Sequence, residues 1–272
     1  MNFVCVCIRI PKCGSTSLVN CLMAAFADRQ TFYLPHSLNL EGPISAFQRW
    51  RFHRTRARNL RRCYHTSDIA SVYKLIEKDA AEGDLIAGGH IDFSSVRQNV
   101  ERRLKMIVMF RDPAERSLSE YNYCRQAYFR KQAMSRFDAT MMHKTAGRCD
   151  FDAYLDFMLD HAPAYANLAA RYIGWDGNED LSRLFARDVF HSGVLERSDI
   201  FARALVEKLH RPVSFPHDNR TGRNRVGHFT SAQRKKVEQL YPLDFALYEW
   251  QLAHLRVKEY RRGKARLLTR PA

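Results

Sequence analysis

The opening of the chain constrains the fold most. Residues Phe3 to Ile10 form an apolar run rich in Val, Ile and Cys, interrupted by Arg9. A run of this kind, without polar alternation, reads as a strand buried on both faces. Pro11 to Gly14 follows as a turn, and Ser15 to Phe26 carries helical patterning. A buried strand that enters a helix through a short glycine-containing turn is the first half of a β–α–β unit, which points to a parallel sheet. A second apolar run, Lys105 to Phe110, ends in Arg111, Asp112 and Pro113. Asp112 suits a helix N-cap, Pro113 the first helical position, and Glu115 the third residue after the cap. A helix is therefore predicted from Pro113 to about Tyr128.

Further elements follow the same rules. Short strands are predicted at Asp84–Ala87, leading into Gly88, Gly89 and His90, and at Val189–Leu195. Helices are predicted at Ser67–Ala81, Phe151–Leu159 and Leu181–Arg187, and from a cap at Ser198 to His210. Thr230 and Gln233 form a capping box for a helix through Leu240, and Pro242 starts a last helix containing Phe245, Leu247, Tyr248 and Leu252. The expected fold is α/β, a central mainly parallel sheet flanked by helices in three layers, in one domain over residues 1–272.

Charge narrows the class of partner. There are 44 Lys and Arg against 29 Asp and Glu, a formal net charge of +15. Such a balance predicts an anionic partner: nucleic acid, a membrane surface, or an anionic small molecule or polymer. The densest stretch holds Arg49, Arg51, Arg54, Arg56, Arg58, Arg61 and Arg62. It suits a groove for an anionic saccharide and equally a solvated helix face. The tail after Arg256 is basic and poorly patterned, so mobility is expected there. The seven cysteines include no CxxC or Cys/His ligand spacing, so no structural zinc is expected. Thiols inside a buried strand fit a reducing compartment. No signal peptide or membrane span is apparent, so a cytoplasmic protein is expected.

The segment Pro11, Lys12, Cys13, Gly14, Ser15, Thr16, Ser17 offers hydroxyls and N–H groups at a helix start, where the dipole favours an anion. Lys12 precedes the glycine, the reverse of the standard nucleotide P-loop order. These residues resemble the 5′-phosphosulfate loop of the sulfotransferases that use PAPS (3′-phosphoadenosine 5′-phosphosulfate). The likeness is closest to the carbohydrate group, which includes the heparan 2-O- and 6-O-sulfotransferases. In that family an arginine at a strand end and a serine eight residues later hold the donor 3′-phosphate. Arg111 and Ser119 match in type and spacing. Ser119 lies about two helical turns beyond Asp112, so it returns to the cap's face.

The resemblance implies more. His90 corresponds to the general base of the 2-O group, with Asp92 as runner-up; a second family histidine is replaced here by Gly88. Arg9 aligns with an arginine before the loop and is expected to face the acceptor. The loop Asn219–Arg225 resembles the C-terminal donor loop, with Thr221, Arg223 and Arg225 as candidate contacts. Arg116 and Glu120, at i and i+4, read as a structural or surface pair. Residues 31–83 have no counterpart and are expected to be a variable basic insertion on the acceptor side.

The implied fold is P-loop-like and the implied activity is sulfuryl transfer from PAPS to a hydroxyl, leaving PAP. Lys12 would stabilise the leaving phosphate, and no metal is required. A carbohydrate or glycolipid acceptor, neutral or anionic, is expected, in a bacterial enzyme that acts before export. Two rival readings stand beside this one. A P-loop-type nucleotide kinase would need a lysine after the glycine and a magnesium-holding acid. A nucleic-acid-binding protein is favoured by charge but lacks a recognisable module.

Overall fold

The structure is a computed structural model and describes residues 1–37, 63–64, 69–133, 140–213, 215 and 229–268. The Arg49–Arg62 stretch and the 219–225 loop lie outside the described residues. The chain divides into two compact units: Met1–Phe110 with Arg171–Arg220, and Arg111–Ala170 with Thr221–Ala272.

The first unit holds the sheet. Its strands are β1 (Val4–Ile8), β2 (Thr31–Ser37), β3 (Cys63–Tyr64), β4 (Leu85–His90), β5 (Leu104–Phe110) and β6 (Val189–Val194). They lie in the order β3-β2-β4-β1-β5-β6, and every pairing is parallel. The helices of this unit are α1 (Ser15–Ala25), α2 (Ile69–Asp79), α3 (Phe93–Asn99), α9 (Leu181–Asp188) and α10 (Ser198–Leu209). Side-chain alternation explains the layering. Cys5, Cys7, Leu85, Ala87, Ile107 and Met109 share one face with Leu18 and Leu22 of α1 and Phe201 and Leu205 of α10. Phe110, on the alternate face, meets Phe185 of α9 at 6.2 Å. The sheet is buried on both sides, as continuous apolar runs require.

Topology then places a crevice. From β1 the chain crosses through α1 toward β2, whereas from β4 it crosses through α3 to β5, on the other side of β1. The carboxyl ends of β1 and β4 therefore flank a switch point, the place where open parallel sheets bind ligands.

The regular elements of the second unit, among its described residues, are all helices: α4 (Pro113–Ala133), α5 (Met141–Arg148), α6 (Phe151–Asp160), α7 (Ala162–Tyr165), α11 (Ser231–Leu240) and α12 (Pro242–Leu268), with α8 (Leu168–Ile173) straddling the boundary. Its core gathers Leu118, Tyr121, Tyr154, Leu155, Val237 and Tyr241. At its centre Arg116 is 1% exposed, 3.3 Å from Asp244 and 3.8 Å from Glu120, with the Tyr241 ring 4.3 Å away. Asp244 also accepts from the N–H groups of Ala169 and Ala170 at 3.1 and 2.9 Å, capping α8. The expected Arg116–Glu120 pair is thus structural but buried, because Asp244 arrives from a distant segment.

Several expectations need correction. Ser198 does not cap its helix; it is the first helical residue, behind Arg197. Gly88, Gly89 and His90 lie within β4 rather than after it. The final helix continues to Leu268 instead of ending near Arg256. Thr31–Ser37 forms a sheet strand that was not predicted, whereas the helix predicted at Ser67–Ala81 forms over Ile69–Asp79. The Thr230–Gln233 capping box forms as expected, with bonds of 3.1 and 3.0 Å. Among the described residues, no helix is long and apolar enough to cross a membrane.

Candidate active site

The turn after β1 is shaped by two left-handed residues. Lys12 has φ 63° and Gly14 has φ 69°. Glycine accepts this conformation freely, whereas a non-glycine residue costs about 1–2 kcal/mol there. Strain of this kind persists where surrounding structure over-determines it, commonly at functional sites. Gly14 is doubly constrained, because a Cβ there would stand 2.6 Å from Cδ1 of Leu195. Gly14 is also the N-cap of α1, with no side-chain cap and no acidic residue in the first turn. The first N–H groups of a helix have no intrahelical acceptor, so this end is suited to an anion. Exposure alternates along the loop: Cys13, Ser15 and Ser17 are buried, while Lys12, Gly14 and Thr16 are partly exposed.

Arg9 and His90 are joined through the sheet. Arg9 is 3% exposed and donates from Nη1 to the Gly88 carbonyl at 2.5 Å, tying the end of β1 to β4. The Arg9 carbonyl lies 2.7 Å from Nδ1 of His90. A carbonyl can only accept, so Nδ1 carries the proton and Nε2 keeps its lone pair. Burial of the ring pushes His90 below its ordinary value. The hydrogen bond to Arg9 opposes that shift, and the positive charges of Arg9 and Lys12 add to it. His90 is therefore a neutral imidazole at pH 7. The fold brings His90, distant in sequence, within electrostatic reach of Arg9 and Lys12.

Gly88 is fixed by contact. It has φ 124°, and a Cβ would lie 2.3 Å from the Leu34 carbonyl oxygen and 2.7 Å from the Leu34 nitrogen. These are backbone atoms of β2, near the register shift between Leu34 and Ser37. A histidine at this position, as in the 2-O group, would not fit. Asp92, the runner-up base, caps α3 instead: it accepts from the Ser95 N–H and hydroxyl, each at 2.7 Å.

One neighbour gave no sequence signal. The Tyr172 ring stands edge-on to His90 with centroids 6.5 Å apart. It lies on the short α8, which had no predicted pattern. Gly174 just beyond it approaches Ser94 of α3 so closely that a Cβ would be 2.3 Å from Oγ.

In the second unit, Asp112 caps α4 by accepting from Ala114 and Glu115 at 2.8 and 3.0 Å. Arg111 lies 3.5 Å from Glu115, and Ser119 is partly exposed on α4. Thr221, Arg223 and Arg225 fall outside the described residues. Among the described residues, no group of three His, Cys, Asp or Glu could hold a metal ion.

Comparison with known proteins gives the family. No curated protein matches the chain. A profile of the sulfotransferase family matches residues 2–251, which include the Lys12 turn, His90 and the Arg111 segment. The chain belongs to the sulfotransferase family.

Proposed function

We propose that this enzyme moves the sulfuryl group of PAPS onto a hydroxyl of a carbohydrate or glycoconjugate, as the heparan 2-O-like enzymes do. The observation that carries the reading is the Nδ1 hydrogen bond of His90 to the Arg9 carbonyl. It leaves Nε2 as an acceptor beside the charge of Lys12. A base and a cation at one switch point suit in-line transfer, where positioning and electrostatics supply most of the catalysis.

In the proposed reaction, Nε2 of His90 takes the proton of the acceptor hydroxyl while its oxygen attacks sulfur. The sulfur–oxygen bond to the donor 5′-phosphate breaks, and the electron pair leaves with that phosphate. Lys12 and the N–H groups of Ser15, Thr16 and Ser17 stabilise the charge that develops there. Arg9 holds the histidine through its carbonyl; its buried side chain donates to the Gly88 carbonyl, and its part in acceptor binding belongs to this proposal. The family resemblance assigns Arg111 and Ser119 to the donor 3′-phosphate and makes Thr221, Arg223 and Arg225 candidate donor contacts. A carbohydrate acceptor accords with the basic charge and with the motif likeness.

Labelled-sulfate transfer from PAPS to a panel of glycans, glycolipids and small alcohols tests the reading. We expect transfer to a saccharide hydroxyl and thermal stabilisation by PAP well beyond that by ATP with magnesium. No transfer to any acceptor together with no PAP binding would refute it.

A further inference from the structure

A cleft of 410 Å³ opens in the first unit at the amino-terminal end of β5, bordered by Leu104, Lys105 and the end of α9. Leu104 pairs with Val4 at the start of β1, whereas Lys12 follows the end of β1. The cleft is thus set apart from the Lys12 turn by about 20 Å, the length of a seven-residue strand.

Its lining has more donors than the protein uses. Lys105 donates to the carbonyls of Ala186, at 2.9 Å, and Arg187, covering the carboxyl end of α9. An ammonium has three donors, so one remains. Arg97 reaches Asp188 through Nη1 alone, at 3.2 and 3.4 Å. Arg102 spends Nε and Nη2 on the Glu77 carbonyl, at 3.2 and 2.7 Å. Arg103 has no ion pair among the described residues, and its charge acts against that of Lys105. Asp188 is the lining carboxylate; its Oδ2 accepts from Arg187 at 2.9 and 2.8 Å and from Arg97 at 3.2 Å, and its Oδ1 accepts from Arg97 at 3.4 Å. Surplus donors, neighbouring like charges and a single lining carboxylate already engaged by two arginines favour a ligand that only accepts hydrogen bonds.

We infer that this cleft binds an oxyanion of the sulfate or phosphate-ester class, separately from the transfer site, with Arg103 and Lys105 as its principal contacts. The anion lies between the two cations, takes the spare Lys105 donor and relieves their repulsion. The assignment does not depend on the identity of the sulfuryl donor. The anion is either free or carried on a sulfated polymer, and both present the same oxygens.

The test uses the full chain with dextran sulfate, uncharged dextran and inorganic sulfate. Amine acylation of Lys105 is followed by mass spectrometry, and affinity for dextran sulfate is measured for wild type and Arg103→Glu. Dextran sulfate should protect Lys105, uncharged dextran should not, and Arg103→Glu should weaken dextran sulfate binding about tenfold or more. Melting temperature and PAP affinity should be unchanged in the variant, which separates this site from the donor site. Protection by inorganic sulfate identifies the free anion as sufficient; protection by the polymer alone identifies a polymer-borne group. A Lys105 equally reactive under all conditions, or an Arg103→Glu affinity equal to wild type, overturns the assignment.

Discussion

Two regions bury arginine in different ways. In the helical unit, Arg116 meets Asp244 and Glu120 and lies against Tyr241. The cation is enclosed by carboxylates supplied by the fold. In the sheet unit, Arg9 donates to a main-chain carbonyl, and its own carbonyl holds His90 near Lys12. There the protein gathers positive charge at a switch point. The first arrangement locks helices together; the second is suited to an incoming anion. Similar burial therefore accompanies opposite roles, and the chemistry of the partners tells them apart.

The comparison can be broken most directly at Asp244. Asp244→Ala leaves Arg116 buried beside a lost partner and uncaps α8, so it should cost about 3–5 kcal/mol in urea unfolding. A loss below about 1 kcal/mol, the value of an exposed pair, would remove the claim that this network is structural.

At the sheet end the expected loss is in rate. Lys12→Ala and His90→Ala should each lower kcat by about 10²–10³-fold or more, with His90→Ala keeping PAP affinity in calorimetry. Full activity in His90→Ala would move the base elsewhere.

Gly88→Ala sharpens the contrast from the backbone side. A Cβ against Leu34 and a φ of 124° should cost about 1–3 kcal/mol in thermal unfolding. A neutral result would mean that β2 yields at this point.

Smaller effects separate base from cap. Asp92→Ala should cost about 1 kcal/mol as a lost N-cap while sparing most of the activity. A loss of rate as large as that of His90→Ala would make Asp92 the base. The pH profile gives the mildest signature. A depressed His90 remains mostly neutral at 6.5, its ordinary value, so kcat/KM there should exceed half the plateau and fall only at lower pH. Half-maximal rate above pH 6.5 would contradict the burial argument.

Much of the fold was legible because its signals are local. The β1–turn–α1 opening, the Asp112 cap and the Thr230–Gln233 box each depend on residues within one or two turns. β2 was missed because Thr31–Ser37 carries Pro35 and mixed polarity, so that its strand character comes from pairing with β4. α8 and Tyr172 were missed for a related reason: the cap of α8 is Asp244, distant in sequence.

The sequence by itself determined the type of the locally signalled elements, the order of the motifs and the identity of Lys12, His90, Arg111 and Ser119 as candidates. It also carried the family likeness, because those motifs are short and contiguous. The tertiary structure alone decided which of these residues meet. It set the histidine tautomer through the Arg9 carbonyl, required glycine at 88 through the β2 backbone, and turned Arg116 inward onto Asp244. The physical reason is common to all three. Protonation, burial and close contact depend on atoms brought together across the sheet or between helices, and periodicity along the chain holds no record of that register.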